Sequence, residues 1–268
     1  MDDTLPRFEH IDDIAVVTLN DPGTFNGLSP AVFTRLREII AEVDARAGRD
    51  IRALVLTGSG KAFCAGAELN SIFRSAPEGR SVGQHIAQFT REIGTPALMD
   101  LHRVPVPFVT AVNGVAAGLG LSIAFNGDVV LAARSASFVV PFFTRLGIVP
   151  DGGLTWQLPR LVGHARASAM ALLGERMSAE AAEQCGLIWR CVDDAALLPT
   201  AMDAARRLAR LPAYACHEMR AALAASQRNT YEQQYEYELR RNEELLDGPD
   251  FREGLSAFLE KREPRYPS

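Results

Sequence analysis

With 268 residues, 47% of them hydrophobic and 23% charged, the chain can close a full core and carries the charge density of an ordinary globular protein. A net charge of −5 and a pI near 5.6 leave no basic footprint, which argues against a nucleic-acid partner. The four cysteines form no C-x-x-C pair, MDDTLPRFEH is not a signal sequence, and no run approaches the ~20 apolar residues of a membrane span, so the expectation is a cytoplasmic protein with no disulfide framework and no membrane segment.

Ile14 to Leu19 (IAVVTL) is a β-branched run ending in Asn20, Asp21, Pro22 and Gly23, a strand followed by a turn. Ser29 and Pro30 supply an N-cap and a first-turn proline for a helix with apolar positions Val32, Phe33, Leu36, Ile39, Ile40 and Val43, closed by Gly48. Ile51 to Thr57 reads as a second strand, followed by the small-residue turn KAFCAGAEL at 61–69. From Asn70 to Thr95 the chain is richer in Ser, Gly, Arg and Gln, and reads as a mobile wall with helical pieces, the kind of connection that carries substrate contacts. Pro105 and Pro107 introduce another strand. It leads into TAVNGVAAGLGLSI at 110–123, read as a buried strand turning directly into a buried helix. Further strands fit Asp128 to Ala132 and Ala136 to Val140. Pro150 to Gly153 form a turn before a helix reaching Arg160, a second helix spans His164 to Leu173, and a third starts at Ser178. Alternation of strand and helix over the first two-thirds indicates an α/β fold. After Leu197 only helices are expected: Leu198 to Arg210, Ala213 to Gln227, Tyr231 to Leu246 and Asp250 to Lys261. In the third, Tyr231, Tyr235, Leu239 and Leu246 form an apolar stripe between charges, as in a helix that docks on a partner.

The stretch from 110 to 123 organises the rest. Gly114, Gly118 and Gly120 permit close approach to the backbone, and the first turn of a helix carries N–H groups without internal partners, so an oxyanion site can form there. A dinucleotide site does not fit, because Gly118-Leu119-Gly120 continues to Ser122 and Ile123 without the third glycine of G-x-G-x-x-G. The five histidines show no ligand spacing, so no metal site is expected, and Ser122 lacks the G-x-S-x-G elbow of a hydrolase nucleophile.

Three segments in order, KAFCAGAEL at 61–69, AVNGVAAGLGL at 111–121 and LGIVPDGGLTWQLPRLVG at 146–163, resemble the crotonase superfamily, the enoyl-CoA hydratases and isomerases. The likeness extends from FNGLSP near residue 25 to the ending FREGLSAFLEKREPRY, and GERMSAEAAEQCGLIW is most similar to the ring-1,2-epoxyphenylacetyl-CoA isomerase branch. The resemblance implies a crotonase-like ββα spiral core over 1–197 and an all-helical region over 198–268 that builds trimers or hexamers. It implies an acyl-CoA thioester as ligand, with coenzyme A present as part of the substrate and no permanently bound cofactor. The thioester oxygen would sit between the backbone N–H groups of Ala67 and Leu119. Coenzyme A and acyl contacts would fall at Lys61, Phe63, Ala65, Gly66, Leu69, Gly118, Phe142 and Phe143, with Phe258 and Lys261 matching C-terminal residues that reach a neighbouring subunit's ligand.

Hydratases of this superfamily use two glutamates. One position is Ser122 here, and the other falls on Phe142, or on Phe143 if the extra residue between Pro141 and Pro150 is placed earlier. Neither serine nor phenylalanine exchanges protons at neutral pH, so two-carboxylate hydration is not expected. Asp151 in IVPDGG occupies the turn where the epoxide isomerase branch places an aspartate facing the acyl group. The resemblance therefore implies an acyl-CoA isomerase with Asp151 as proton-shuttling acid/base, with hydratase-like or decarboxylase activity without the two glutamates, or a non-catalytic acyl-CoA binder, as alternatives. The same residue type is also a common helix N-cap. Glu68 stands where aspartate is usual beside the first oxyanion alanine and is read as structural.

Overall fold

The computed structural model describes residues 4–74 and 79–267. The recurrent unit is an apolar strand, a short strand, then a helix. β1 (Arg7–Ile11) and β2 (Ile14–Leu19) form a hairpin leading to α1 (Pro30–Arg46), whose start is fixed by Ser29 Oγ accepting from Val32 N–H. The units then follow as β3 (Ala53–Gly58), β4 (Ala62–Cys64) and α2 (Leu69–Arg74), with α3 (Val82–Phe89) and α4 (Thr95–His102) beyond it. Next come β5 (Phe108–Val112), β6 (Val115–Ala117) and α5 (Leu119–Ala124), then β7 (Val129–Ala133), β8 (Ser137–Val139) and α6 (Leu154–Leu173). β9 (Met177–Ser178), α7 (Ala179–Gln184) and β10 (Arg190–Val192) close the core.

In the pairs β3–β4, β5–β6 and β7–β8 the first strand enters one sheet, ordered β1-β2-β3-β5-β7-β10, and the second enters another, ordered β4-β6-β8-β9. Both strands of the opening hairpin lie in the first sheet, and β9 and β10 end the second and the first. Only the outer strands β1 and β9 run antiparallel to their neighbours. β2, β3 and β5 are buried almost throughout, as parallel strands covered on both faces are. α8 (Leu197–Ala209) covers β2, β3, β5 and β7 with Ala201, Met202 and Ala205. It is followed by α9 (Ala213–Ser226), α10 (Tyr231–Leu246) and α11 (Pro249–Glu260), as expected to within a residue or two.

Three features depart from the sequence expectation. The chain does not pass directly from strand to helix after Val112: β6 intervenes, because Asn113 turns the chain into the second sheet while its side chain accepts from Gly58 N–H and donates to the carbonyls of Gly60 and Ala62. β1 is an exposed edge strand, so RFEHI shows no buried alternation. The segment Phe142–Leu146 is a single π-turn ending at Gly147 in the left-handed region, and a wide turn of this kind absorbs an extra residue. α6 is broken by a kink at Gly163 (φ 75°, ψ 164°), matching the two helices read there. The wall from Asn70 to Thr95 contains α2, α3 and a π-turn at Thr90–Gly94, while its residues 75–78 lie outside the described residues.

Candidate active site

The site is assembled where β4 and β6 lie side by side and hand the chain to the turn at 65–68 and to α5. The turn before it is held by Asn26, itself left-handed (φ 57°), whose Nδ2 donates to the carbonyls of Ser59, Ala62 and Phe63. Gly66 has φ +92°, and a Cβ there would fall 2.8 Å from Ala117 O and 3.1 Å from Leu119 N. Only glycine lets the two segments approach this closely. Gly66 C=O accepts from Leu28 N–H at 2.8 Å and Glu68 N–H donates to Leu28 O at 3.1 Å. In a planar trans peptide the N–H points opposite to the C=O, so Ala67 N–H points away from Leu28. Leu119 is the first residue of α5, where an N–H has no partner within the helix. Among the described residues nothing accepts from Ala67 N–H or Leu119 N–H. Two donors so placed can hold an oxygen on which negative charge develops.

Gly118, before Leu119, has φ +54° and ψ −128°, and the ring of Phe142 lies 3.5 Å from where its Cβ would be. Phe142 is buried (7% exposed) whereas Phe143 is 52% exposed, so the π-turn aims the first phenylalanine at the site and the second outward. Thr144 packs on Gly174, the cap of α6, and ties this wall to that helix.

Asp151 enters from the other side. A Cβ on Gly152 would fall 2.5 Å from both Leu119 Cδ2 and Ser122 Oγ, so the Asp151–Gly152 turn rests on the first turn of α5. α6 begins only at Leu154, after Gly153, and takes no side-chain cap from Asp151. Asp151 Oδ1 and Ser122 Oγ are buried without a hydrogen-bond partner among the described residues. Burial pushes the Asp151 carboxyl above the usual range, with its own backbone N–H pulling the other way.

The structure thus brings Ala65, Gly66, Ala67, Gly118, Leu119, Ser122 and Phe142 together, with Asp151 adjoining. Lys61 is exposed at the entry to β4, Leu69 opens α2 half-buried, and Phe63 is fully buried in the core. Phe258 and Lys261 lie at the end of α11, which packs on α10. Phe258 lines a groove of about 460 Å³ with residues such as Leu246, Phe251 and Tyr266, none of which belongs to the cluster around Gly66 and Gly118. Sequence reasoning missed Asn26, Asn113 and Cys64, which brace the turn. The thiol of Cys64, fully buried and pushed up to about 12 by burial, accepts from Gly66 N–H at 3.4 Å. NG and NGV were visible in the sequence as turn signals, but the carbonyls these residues hold are distant in the chain.

The family model described as enoyl-CoA hydratase/isomerase matches residues 9–268. The chain is 41% identical to 1,2-epoxyphenylacetyl-CoA isomerase of Escherichia coli K12 over 94% of each chain. It is also 41% identical to a "probable enoyl-CoA hydratase" of Rhodobacter capsulatus, over 97% of this chain and 96% of the other. A crystal structure of enoyl-CoA hydratase from Bacillus anthracis superposes with a TM-score of 0.87 at 29% identity, covering 97% of this chain and 98% of that one. Two strands per unit feeding two sheets, paired glycine turns at their crossing and sequence similarity along nearly the whole length agree, and on these grounds the chain belongs to the enoyl-CoA hydratase/isomerase family.

Proposed function

We propose that the protein is an acyl-CoA isomerase in which Ala67 N–H and Leu119 N–H hold the thioester oxygen as an enolate and Asp151 moves the proton. One observation carries this reading: Asp151 is a half-buried carboxyl with one buried, unpartnered oxygen and no side-chain capping bond to α6, set against the helix turn that supplies one of the two donors. The positions where the resemblance places two glutamates hold Ser122 and either Phe142 or Phe143, so Asp151 is the proton-exchanging group that remains. One carboxylate suffices for a 1,3 shift. It takes a proton from one carbon, the electron pair moves onto the thioester oxygen, and the proton returns to another carbon as the carbonyl re-forms. Each backbone donor of this kind is worth ~3 to 4 kcal/mol in the transition state. Buried Phe142 and Leu119 keep water from the enolate. The similarity to the Escherichia coli epoxide isomerase supports the isomerase assignment. The equal identity to the Rhodobacter capsulatus protein favours hydration as the second reading, with Asp151 acting alone on water.

Mass spectrometry in deuterated water separates the two. With a panel including phenylacetyl-CoA and 3-hexenoyl-CoA, isomerisation gives deuterium exchange or a moved double bond without addition of water, whereas hydration of 2-hexenoyl-CoA adds one water. Asp151→Asn should lower exchange by about 100-fold or more while leaving acyl-CoA affinity within about twofold. An active Asp151→Asn enzyme removes the assignment.

A further inference from the structure

We infer that Cys64 is a positioning residue for the two oxyanion donors, an inference that rests on the oxyanion reading above. Cys64 ends β4, one residue before the turn that carries Ala67, and is fully buried. It touches both arms of the site. Its Sγ accepts from Gly66 N–H at 3.4 Å, which fixes the peptide preceding Gly66. The following peptide, the one that bears Ala67 N–H, is fixed from the opposite side by Leu28 N–H donating to Gly66 O. Between these two anchors lies only the left-handed Gly66, the residue type with the least conformational restraint of its own. The other arm rests on Cys64 directly: a Cβ on Gly120 would fall 2.2 Å from Cys64 O and 3.0 Å from Cys64 Cβ, so the first turn of α5, with Leu119, is seated on the same residue. Without the sulfur acceptor, Gly66 N–H is left unpaired and the peptide can rotate about Gly66, carrying Ala67 N–H with it. Burial keeps the thiol protonated, so the residue acts as a neutral acceptor and not as a nucleophile.

The test compares Cys64→Ala and Cys64→Ser with the parent enzyme. The readouts are the carbonyl stretch of bound [1-¹³C]acetyl-CoA by infrared difference spectroscopy and the saturating rate and KM of α-proton exchange with phenylacetyl-CoA. The parent should lower the carbonyl frequency relative to free thioester. Cys64→Ala should lose part of that shift and drop kcat about tenfold, less than the roughly 100-fold expected for loss of a donor itself, with KM within about twofold. Cys64→Ser, which restores an acceptor, should recover most of both. If Cys64→Ala does not fold, Cys64→Val, which refills the volume without an acceptor, gives the same readings. A full carbonyl shift and full kcat in the alanine or valine variant overturns the inference, as does a serine variant no better than alanine. A parent enzyme with no carbonyl shift overturns the oxyanion reading, and this inference with it.

Discussion

A carboxyl group buried without a partner destabilises the fold at the pH where it is charged. Asp151 is half-buried with Oδ1 unpartnered, and burial raises its pKa above the ordinary 3.8 against the opposing pull of its own backbone N–H. Between the unfolded and folded values the native state binds more protons, so stability falls as pH rises through this window and the penalty is complete above the raised value. Asp151→Ala should therefore melt at or above the parent at pH 8, and the difference should shrink as pH is lowered toward 4 in thermal scans. A capping aspartate behaves oppositely, losing about 1 kcal/mol on replacement. The same raised value should appear in catalysis, with exchange activity rising with pH through an inflection above that of a free aspartate. The sequence marked Asp151 but left open whether it capped the helix, because the helix start is decided by Gly153, which adopts φ 83° and moves the first helical residue to Leu154. Nor could the sequence choose between Phe142 and Phe143, since a π-turn carries no residue signature and only its position against Gly118 and Gly174 reveals which ring faces the site.

Among the elements, those with strong local punctuation were legible. Ser29 with Pro30 opens α1, and Ser178 caps α7 by accepting from Ala181 N–H. The capping boxes of Thr230 with Gln233 at α10 and Ser81 with Gln84 at α3 were not read from the sequence. What the sequence did not disclose is how helices are tied to sheets across long separations. Arg52, beside β3, donates from Nε to Ala209 O and from Nη2 to Leu211 O at the end of α8. Arg220 on α9 donates to Val104 O, Val106 O and Asp128, whose other oxygen accepts from Phe108 N–H at the start of β5. The contacts of these two arginines join residues 92 to 159 positions apart and have no periodicity to read. Because Arg220 and Asp128 are largely shielded, with side chains 20% and 30% exposed, Arg220→Ala should cost about 1–3 kcal/mol. Hydrogen exchange should quicken at Val104–Phe108 and in α9 while α1 and β2 stay protected. Uniform loss of protection would instead mean that α9 and the core unfold as one unit.

At the scale of the whole molecule, the C-terminal helices present more apolar surface than a solitary chain needs. α10 has no buried residue, and Tyr231, Tyr235 and Leu239 are 81%, 64% and 56% exposed on one side of it. Met219 and Leu223 on α9 and Leu255, Phe258 and Leu259 on α11 add to the exposed surface. Apolar area removed from water stabilises by roughly 25 cal/mol per Å², so joining such surfaces between copies is favourable, and contiguous apolar patches of this kind mark interaction sites. We propose that these helices assemble the protein as a trimer or a pair of trimers. Sedimentation at micromolar concentration should give a species of three or six times the 29.2 kDa chain. The double variant Tyr235→Glu with Leu239→Glu should sediment as a monomer. Since neither side chain is buried within its own chain, the variant should keep its helix content by circular dichroism. A parent that sediments as a monomer removes the proposal. A double variant that loses helix along with assembly would show that α10 needs its partners to fold, so that assembly and folding of this region are one step.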